Sequence, residues 1–505
     1  MHYIKKLNEN YYIYIILIFV FIPISFLPQL FGGKLIEYAY ETGDISALDN
    51  FYRERGRYFH LPFFYLVDFL AKYTLIPAGI FLDILTTIFL ILFCIEVKKY
   101  SKLFFGLENK WCNLAALFTA IFPVWHTLVD FDIGQYLISI YFLFFGFRNF
   151  VSPKKINAII GLAFIILSFD VEPNLVFIVG LATIYLLLNK VNNTYDFSVS
   201  KLIIIIATSF TYYFMRYLYF PASGFYEYTQ MINLDHISSN LTLTKLIKNI
   251  SNYSTYLYLY LWIPVIFLIH LLFRNNTYSV KKKLHFKYTN NYFLLIMLSG
   301  FAIFPYLLAN KSSSILYLAD YYQRHAFLLA PISGMFFSIM FRDMAKINCL
   351  QNKINLNFYL IIFICVHLVL LNYGNYRKTE SYLIRNNLIQ ELKALGPIPK
   401  GNVQFIGKNI PADFRIFELN YLLYKAYNIA GWWSTPFGSN EISEPSSNLV
   451  NDKKYSTFYI FREYKYECNI YIYLKNDLKK IERLKQFYIF NYKKYYNIDK
   501  ILKKC

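Results

Sequence analysis

Hydrophobic positions in this chain come in long unbroken runs. Stretches close to 20 apolar residues recur from residue 11 to residue 372, separated by short polar segments. A hydrocarbon bilayer core needs about 20 apolar residues per helix, and backbone groups that cannot meet water there must bond within the segment. The pattern predicts an all-α polytopic membrane domain over residues 1–372, with about eleven transmembrane helices. They are expected at 11–31, 75–97, 112–125, 135–150, 156–170, 174–189, 202–220, 255–273, 292–309, 326–341 and 356–372. The first run is too long for the apolar core of a signal peptide, and no small-residue cleavage site follows it, so it reads as a retained helix.

The pattern changes after residue 372. ESYLIRNNLIQELKAL carries apolar residues at helical spacing, as does FELNYLLYKAYN. VQFIG, STFYIF and CNIYIYL read as strands, and GWWSTPFG as a turn-rich aromatic loop. Residues 373–505 are therefore expected to form a small C-terminal α/β domain.

Charge then orients the chain. Only 16% of residues are charged, 57% are hydrophobic, and the formal net charge is +20. That excess invites a nucleic-acid reading, which the distribution of charge rejects. With the N-terminus inside, nineteen Lys and Arg fall in the inner loops, from Lys5 and Lys6 through Lys281, Lys282 and Lys283 to Lys353. The longer outer segments before residue 373 hold nine, including Lys34, Arg53, Arg55, Arg57, Lys245, Lys248, Lys311 and Arg324. Positive-inside bias places the chain in the inner (plasma) membrane, N-terminus cytoplasmic and residues 373–505 extracytoplasmic. Six cysteines form no CxxC pair. Cys468 and Cys505 both fall in the outer domain, where an oxidising compartment would let them pair. The 49 Tyr and 50 Phe accompany abundant Ile, Asn and Lys. They are read as compositional bias, not as a binding surface.

Ionisable residues near the membrane are candidates for function by default, and most of the notable ones fall on the outer side. The first outer loop, residues 32–74, holds Glu37, Asp44 and Asp49, followed by Arg53, Arg57 and His60. Acids beside cations suit a reaction that deprotonates a hydroxyl and releases a phosphate, since a carboxylate takes the proton and Arg neutralises the leaving group. An interfacial helix laced with salt bridges has the same composition. Beyond the loop, WHTLVDFDIG carries His126, Asp130 and Asp132, SFDVEPN carries Asp170 and Glu172, and ADYYQRHAF carries Tyr322, Arg324 and His325. The four acids of the first two segments also suit a substrate or a divalent metal. Nucleotide-binding glycine motifs are absent, which favours a lipid-linked donor reached from within the bilayer.

The stretch YAYETGDISAL…RYFHLPFFYLVDFLAKY resembles the first outer loop of the GT-C membrane glycosyltransferases, among them the protein O-mannosyltransferase and aminoarabinose-transferase group. Gly43-Asp44, Tyr58-Phe59 and Pro62 with Phe63, Phe64 and Tyr65 stand at comparable places. The family's Asp-Glu pair would fall near Pro28 and Gln29, which are not acids. LDNFYRERGRY also resembles a pattern of bacterial O-antigen glucosyltransferases, which points to Asp49, Arg53 and Arg57 instead of Asp44. The resemblance implies a GT-C-like fold and transfer of a sugar from a polyprenyl-phosphate carrier to an extracytoplasmic glycan, lipid or protein. Asp44, Asp49 or Glu37 would be the catalytic acid. Arg53, Arg57, Arg324, His325 and Tyr322 would hold the donor phosphate. A repeat-unit polymerase and a flippase for lipid-linked sugars are the alternatives.

Overall fold

Residues 48–49, 52–53, 55–74, 76, 78–129, 131–192, 199–221, 242–256, 262, 289–309, 311–316, 321–351, 356–394, 402–408, 425–427, 433–437, 468–475 and 497–504 are described in a computed structural model. They are predominantly helical and belong to two units. The first comprises residues 83–221 and 229–375 with the first 25; the second comprises residues 26–82, 222–228 and 376–505. The predicted run at 11–31 and most of that at 255–273 lie outside the described residues.

Four described helices are long and apolar enough to cross a membrane: Ala78–Phe105, Val199–Tyr219, Asn291–Leu308 and Asn357–Gly374. Their outer surfaces are apolar, with Ile203, Phe210, Phe293, Phe304 and Val369 all exposed. Several boundaries differ from the sequence expectation. The run expected at 112–125 is a 12-residue helix, Asn109–Ala120, followed by a 3-10 turn at Pro123–Val129. A proline there has no N–H to continue the ladder. At the other extreme, the run expected at 356–372 and the helix expected in ESYLIRNNLIQELKAL form one 39-residue helix, Leu356–Ala394. No Gly–Pro pair or cap interrupts that segment, so the helical pattern carries straight through its change from apolar to polar.

Small residues set the closest helix contacts. Val151–Lys154 is short enough to fold Lys155–Leu167 back antiparallel on Phe131–Phe150, where Gly146 faces Gly161. A Cβ on Gly146 would lie 2.8 Å from the Gly161 carbonyl oxygen, and one on Gly161 would run into the Phe150 backbone. Asn109–Ala120 meets Leu329–Gln351 in the same way. A Cβ on Gly334 would fall 2.5 Å from the Ala115 carbonyl oxygen, and Ser338 Oγ donates to the Trp111 carbonyl at 2.5 Å. In an apolar environment such close approach supplies the van der Waals attraction that the hydrophobic effect cannot.

Aromatic side chains fill the remaining space. Phe93, Trp125, Phe144, Tyr100, Phe104, Phe147 and Tyr185 form one chain of ring contacts. Phe118, Phe337, Phe341, Phe363 and His367 form another. Beside the first sits Glu96, whose carboxylate receives Arg148 Nε at 2.6 Å, Arg148 Nη2 at 3.3 Å and Lys99 Nζ at 2.7 Å. The pair joins Ala78–Phe105 to Phe131–Phe150.

In the second unit, four strands form a sheet of order β2-β1-β3-β4: β1 Asn402–Lys408, β2 Trp433–Phe437, β3 Cys468–Lys475 and β4 Asn497–Lys504. β2 and β3 run parallel to β1, and β4 runs antiparallel to β3. VQFIG and CNIYIYL lie in β1 and β3. GWWSTPFG was expected to be a loop, but Trp433–Phe437 is a strand. Its Pro436 is tolerated because β2 is an edge, where a missing N–H costs no ladder bond. The expected strand STFYIF and Cys505 lie outside the described residues.

Replacing Gly161 by Leu should separate the two helices it joins. Overpacking of this kind costs about 1–3 kcal/mol, so the variant is expected to unfold at a lower temperature or denaturant concentration. Gly300→Leu, at a glycine with open space around it, should leave the transition in place.

Candidate functional site

Two predicted outer segments meet in the first unit, and a third packs on the helix that follows one of them. The antiparallel return of Lys155–Leu167 brings the 3-10 turn Ser168–Asp170 against Phe131–Phe150. Immediately before Phe131 stands the turn Pro123–Val129, which packs beside a third 3-10 turn, Tyr321–Ala326. Trp125 and Phe327 close this junction with ring centroids 5.0 Å apart. Tyr253 and Tyr256 reach it from the helix Leu243–Ser254 and the turn that follows, and Phe122 stacks on Tyr256 at 6.2 Å.

A buried polar network lies there. The Tyr256 hydroxyl donates to Gln323 Oε1 at 2.9 Å and lies 2.7 Å from Ser313 Oγ. Gln323 Nε2 donates to the Ser314 carbonyl. Thr255 Oγ1 lies 3.0 Å from Ser314 Oγ, and Asn252 Nδ2 donates to Ser312 Oγ at 2.8 Å. The polar run Lys311-Ser312-Ser313-Ser314 is thus held from two sides. Arg324 and His325 follow Gln323, both buried. The His325 ring lies 4.7 Å from that of Tyr306, at the end of Thr289–Leu308. Burial lowers the His325 pKa well below its ordinary value, and the charges of Arg324 and then Lys311 lower it further. Tyr253 completes the group. Its hydroxyl is buried and has no hydrogen-bond partner among the described residues. Burial pushes its pKa up, the neighbouring Tyr306 and Tyr256 add to that, and Arg324 opposes it. Arg324, Lys311, His325 and the Tyr253 phenol thus lie within electrostatic reach of one another.

Asp170 and Glu172 each have a partner of their own. The Tyr212 hydroxyl donates to Asp170 Oδ1 at 3.3 Å, and Arg216 Nη2 pairs with Glu172 Oε1 at 2.8 Å. Asp170 is 1% exposed. These contacts weaken the expectation of a metal at Asp130, Asp132, Asp170 and Glu172. No group of three His, Cys, Asp or Glu able to hold a metal ion occurs among the described residues. Asp130 and the side chain of Asp132 lie outside them. His126 is a core residue: its Nδ1 lies 2.5 Å from the Pro123 carbonyl oxygen, and its ring abuts Gly374.

The first outer loop belongs to the second unit. Asp49 and Arg53 form an ion pair one helical turn apart, Arg53 Nε to Asp49 Oδ2 at 2.7 Å. This bond raises the Arg53 pKa. The guanidinium also lies over the Tyr58 ring, 5.5 Å from its centroid. The chain turns at Gly56, with φ of 65°, and enters the helix Leu61–Thr74, where Tyr52 stacks on Phe64 at 4.5 Å. Burial raises the Tyr65 pKa, and Asp49 adds to it. Asp49 and Arg53 therefore show the local salt bridge that the interfacial-helix reading anticipated. Arg57 engages partners of its own. Glu37 and Asp44 lie outside the described residues, as does the side chain of Tyr322.

No family model, curated protein or solved structure matches the chain.

Sequence reasoning passed over Tyr253, Tyr256, Gln323 and Arg216. For Arg216 a signal existed, because a cation near the end of an apolar run needs a partner. For the tyrosines none did, in a chain with 49 of them.

The His325 environment sets a pH dependence. Its folded pKa lies below its unfolded value, so the unfolded chain binds the extra proton first. Its contribution is intact above the ordinary imidazole value of 6.5 and is lost as pH falls below it. The unfolding free energy should fall by up to about 1.4 kcal/mol per pH unit there. His325→Gln should flatten this part of the profile, as measured by thermal unfolding between pH 7 and pH 5.

Proposed function

We propose that the chain is an integral membrane glycosyltransferase of the GT-C type. It moves one sugar from a polyprenyl-phosphate donor to an extracytoplasmic acceptor, a glycan, lipid or protein. In this reading the chain crosses the plasma membrane eleven times. Its N-terminus is cytoplasmic, and residues 373–505 form a small α/β domain outside.

The observation that carries the reading is the cluster of Arg324, Lys311, His325 and Tyr253, in which the buried Tyr253 hydroxyl has no hydrogen-bond partner among the described residues. A buried hydroxyl left without a partner costs about 1–3 kcal/mol. A phosphate beside Arg324 would answer that need. The planar fork of Arg324 suits two phosphate oxygens and stays charged at any working pH. Tyr253 would donate a third hydrogen bond. Neutral His325 leaves the positive charge on Arg324 and Lys311, where the leaving phosphate gains charge as the anomeric bond breaks.

In the transfer, the acceptor hydroxyl attacks the anomeric carbon, its proton passes to a carboxylate, and polyprenyl phosphate departs to the cationic cluster. By resemblance alone the carboxylate is one of Asp44, Asp49 and Glu37 of the first outer loop. The ion pair of Asp49 with Arg53 already gives Asp49 a structural task, which shifts weight to Asp44 and Glu37. Asp170, bonded by Tyr212, is next in line.

Three substitutions test the proposal, each read by sugar transfer at matched expression. Arg324→Lys should retain expression but lose most transfer, because an ammonium cannot hold two oxygens at once. Tyr253→Phe should unfold no more readily than the parent, since it removes an unsatisfied hydroxyl, yet should weaken donor binding. Loss of the general base should cost about 10²–10⁴-fold in rate, and Asp44→Ala is expected to show it. Normal donor affinity in both Arg324→Lys and Tyr253→Phe would refute the phosphate site.

A further inference from the structure

The helix Leu243–Ser254 is amphipathic in an unusual sense. Its buried residues are Asn249 and Tyr253. Its aliphatic residues Leu243, Ile247 and Ile250 are instead 71%, 58% and 47% exposed. At about 100° per residue, those three share one face with Leu246, and Lys245, Lys248 and Asn252 occupy the opposite face. Asn249 and Tyr253 lie roughly midway between them. Tyr253 enters the polar cluster, and Asn252 fastens the helix to Ser312 at 2.8 Å. The helix therefore rests edgewise on the protein, with one exposed flank aliphatic and the other carrying lysines.

A helix surrounded by water would turn its aliphatic residues onto the protein. The two exposed flanks of this one face different surroundings, and the boundary of a lipid leaflet supplies both. We propose that Leu243–Ser254 lies in the plane of the outer water–lipid interface, with Leu243, Ile247 and Ile250 among the acyl chains and Lys245 and Lys248 at the headgroup phosphates. Interfacial helices bind in this way, with apolar area buried in the acyl boundary and basic residues drawn to anionic lipid.

The inference rests on the membrane reading of the chain and extends it. Tyr253 is on the same helix as the lysines and borders Arg324, so the anion site is set at headgroup depth. Its ligand is then an amphiphile whose chain stays in the bilayer while its charged group reaches Arg324.

Cysteine labelling tests the placement. Lys248→Cys, Ile247→Cys and Ile250→Cys would be prepared in the full chain and placed in lipid nanodiscs of phosphatidylethanolamine and phosphatidylglycerol. A water-soluble maleimide reaches both faces of such discs, and the parent chain supplies the background. Lys248→Cys should label, whereas Ile247→Cys and Ile250→Cys should lose labelling and recover it on denaturation. Equal labelling at residues 247 and 248 would overturn the proposal. So would protection at 247 that persists in detergent and grows with protein concentration, because a second copy would then cover the face. The readout contains no sugar-transfer step. Failure here leaves the transferase proposal to its own variants, and failure of those variants leaves the labelling pattern unchanged.

Discussion

A charged or polar side chain enclosed by apolar helices must find its counterpart within the protein, and the architecture of the helical unit follows from that constraint. Glu96 meets Arg148 and Lys99. Glu172 meets Arg216, and Asp170 meets Tyr212. Tyr292 donates to Asp343, which also pairs with Arg342. The contacts that run between helices, such as Glu96 with Arg148 and Tyr292 with Asp343, fix the rotation of one helix about its axis relative to another. Burial of apolar surface alone would leave that rotation loose, because these helices are apolar on their outer faces as well. The glycine contacts then bring the backbones close enough for the polar groups to reach.

This constraint also separates structural charges from functional ones. Glu96 and Glu172 are matched by cations at hydrogen-bonding distance, and their chemistry is spent on the fold. The group around Arg324 is built differently. Tyr253, Tyr256, Tyr306, His325 and Lys311 belong to it, and the buried Tyr253 hydroxyl has no hydrogen-bond partner among the described residues. A ligand that accepts that hydrogen bond would complete the group.

The apolar runs made the helices from Ala78 to Leu371 legible, because length and hydropathy speak directly to a bilayer. Their ends were less so. Pro123 stopped one helix early, and nothing between Leu356 and Ala394 stopped another where its composition changed. Strands β1 and β3 were readable from short β-branched and aromatic runs. β4 was not, since lysines interrupt NIDKILKK. Of the candidate site, Arg324 and His325 stood out by charge at the mouth of an apolar run. Two of their tyrosine neighbours, Tyr253 and Tyr256, come from a segment more than 60 residues away, and only packing brings them together. Asp49 and Arg53 were equally visible, yet spacing of four residues signalled mutual pairing as strongly as it signalled catalysis.

The two outer strands of the sheet close it in different ways. At one margin Pro436 interrupts the row of donors on β2, and at the other β4 carries Lys500, Lys503 and Lys504. An open strand is a template for any neighbour with a matching edge. Proteins confined to one plane collide far more often than the same number free in solution, and their exposed edges meet in similar orientations. Proline on one side and like charges on the other keep such encounters brief, so a dense population of these chains should stay dispersed where a plainer sheet would zip into fibrils.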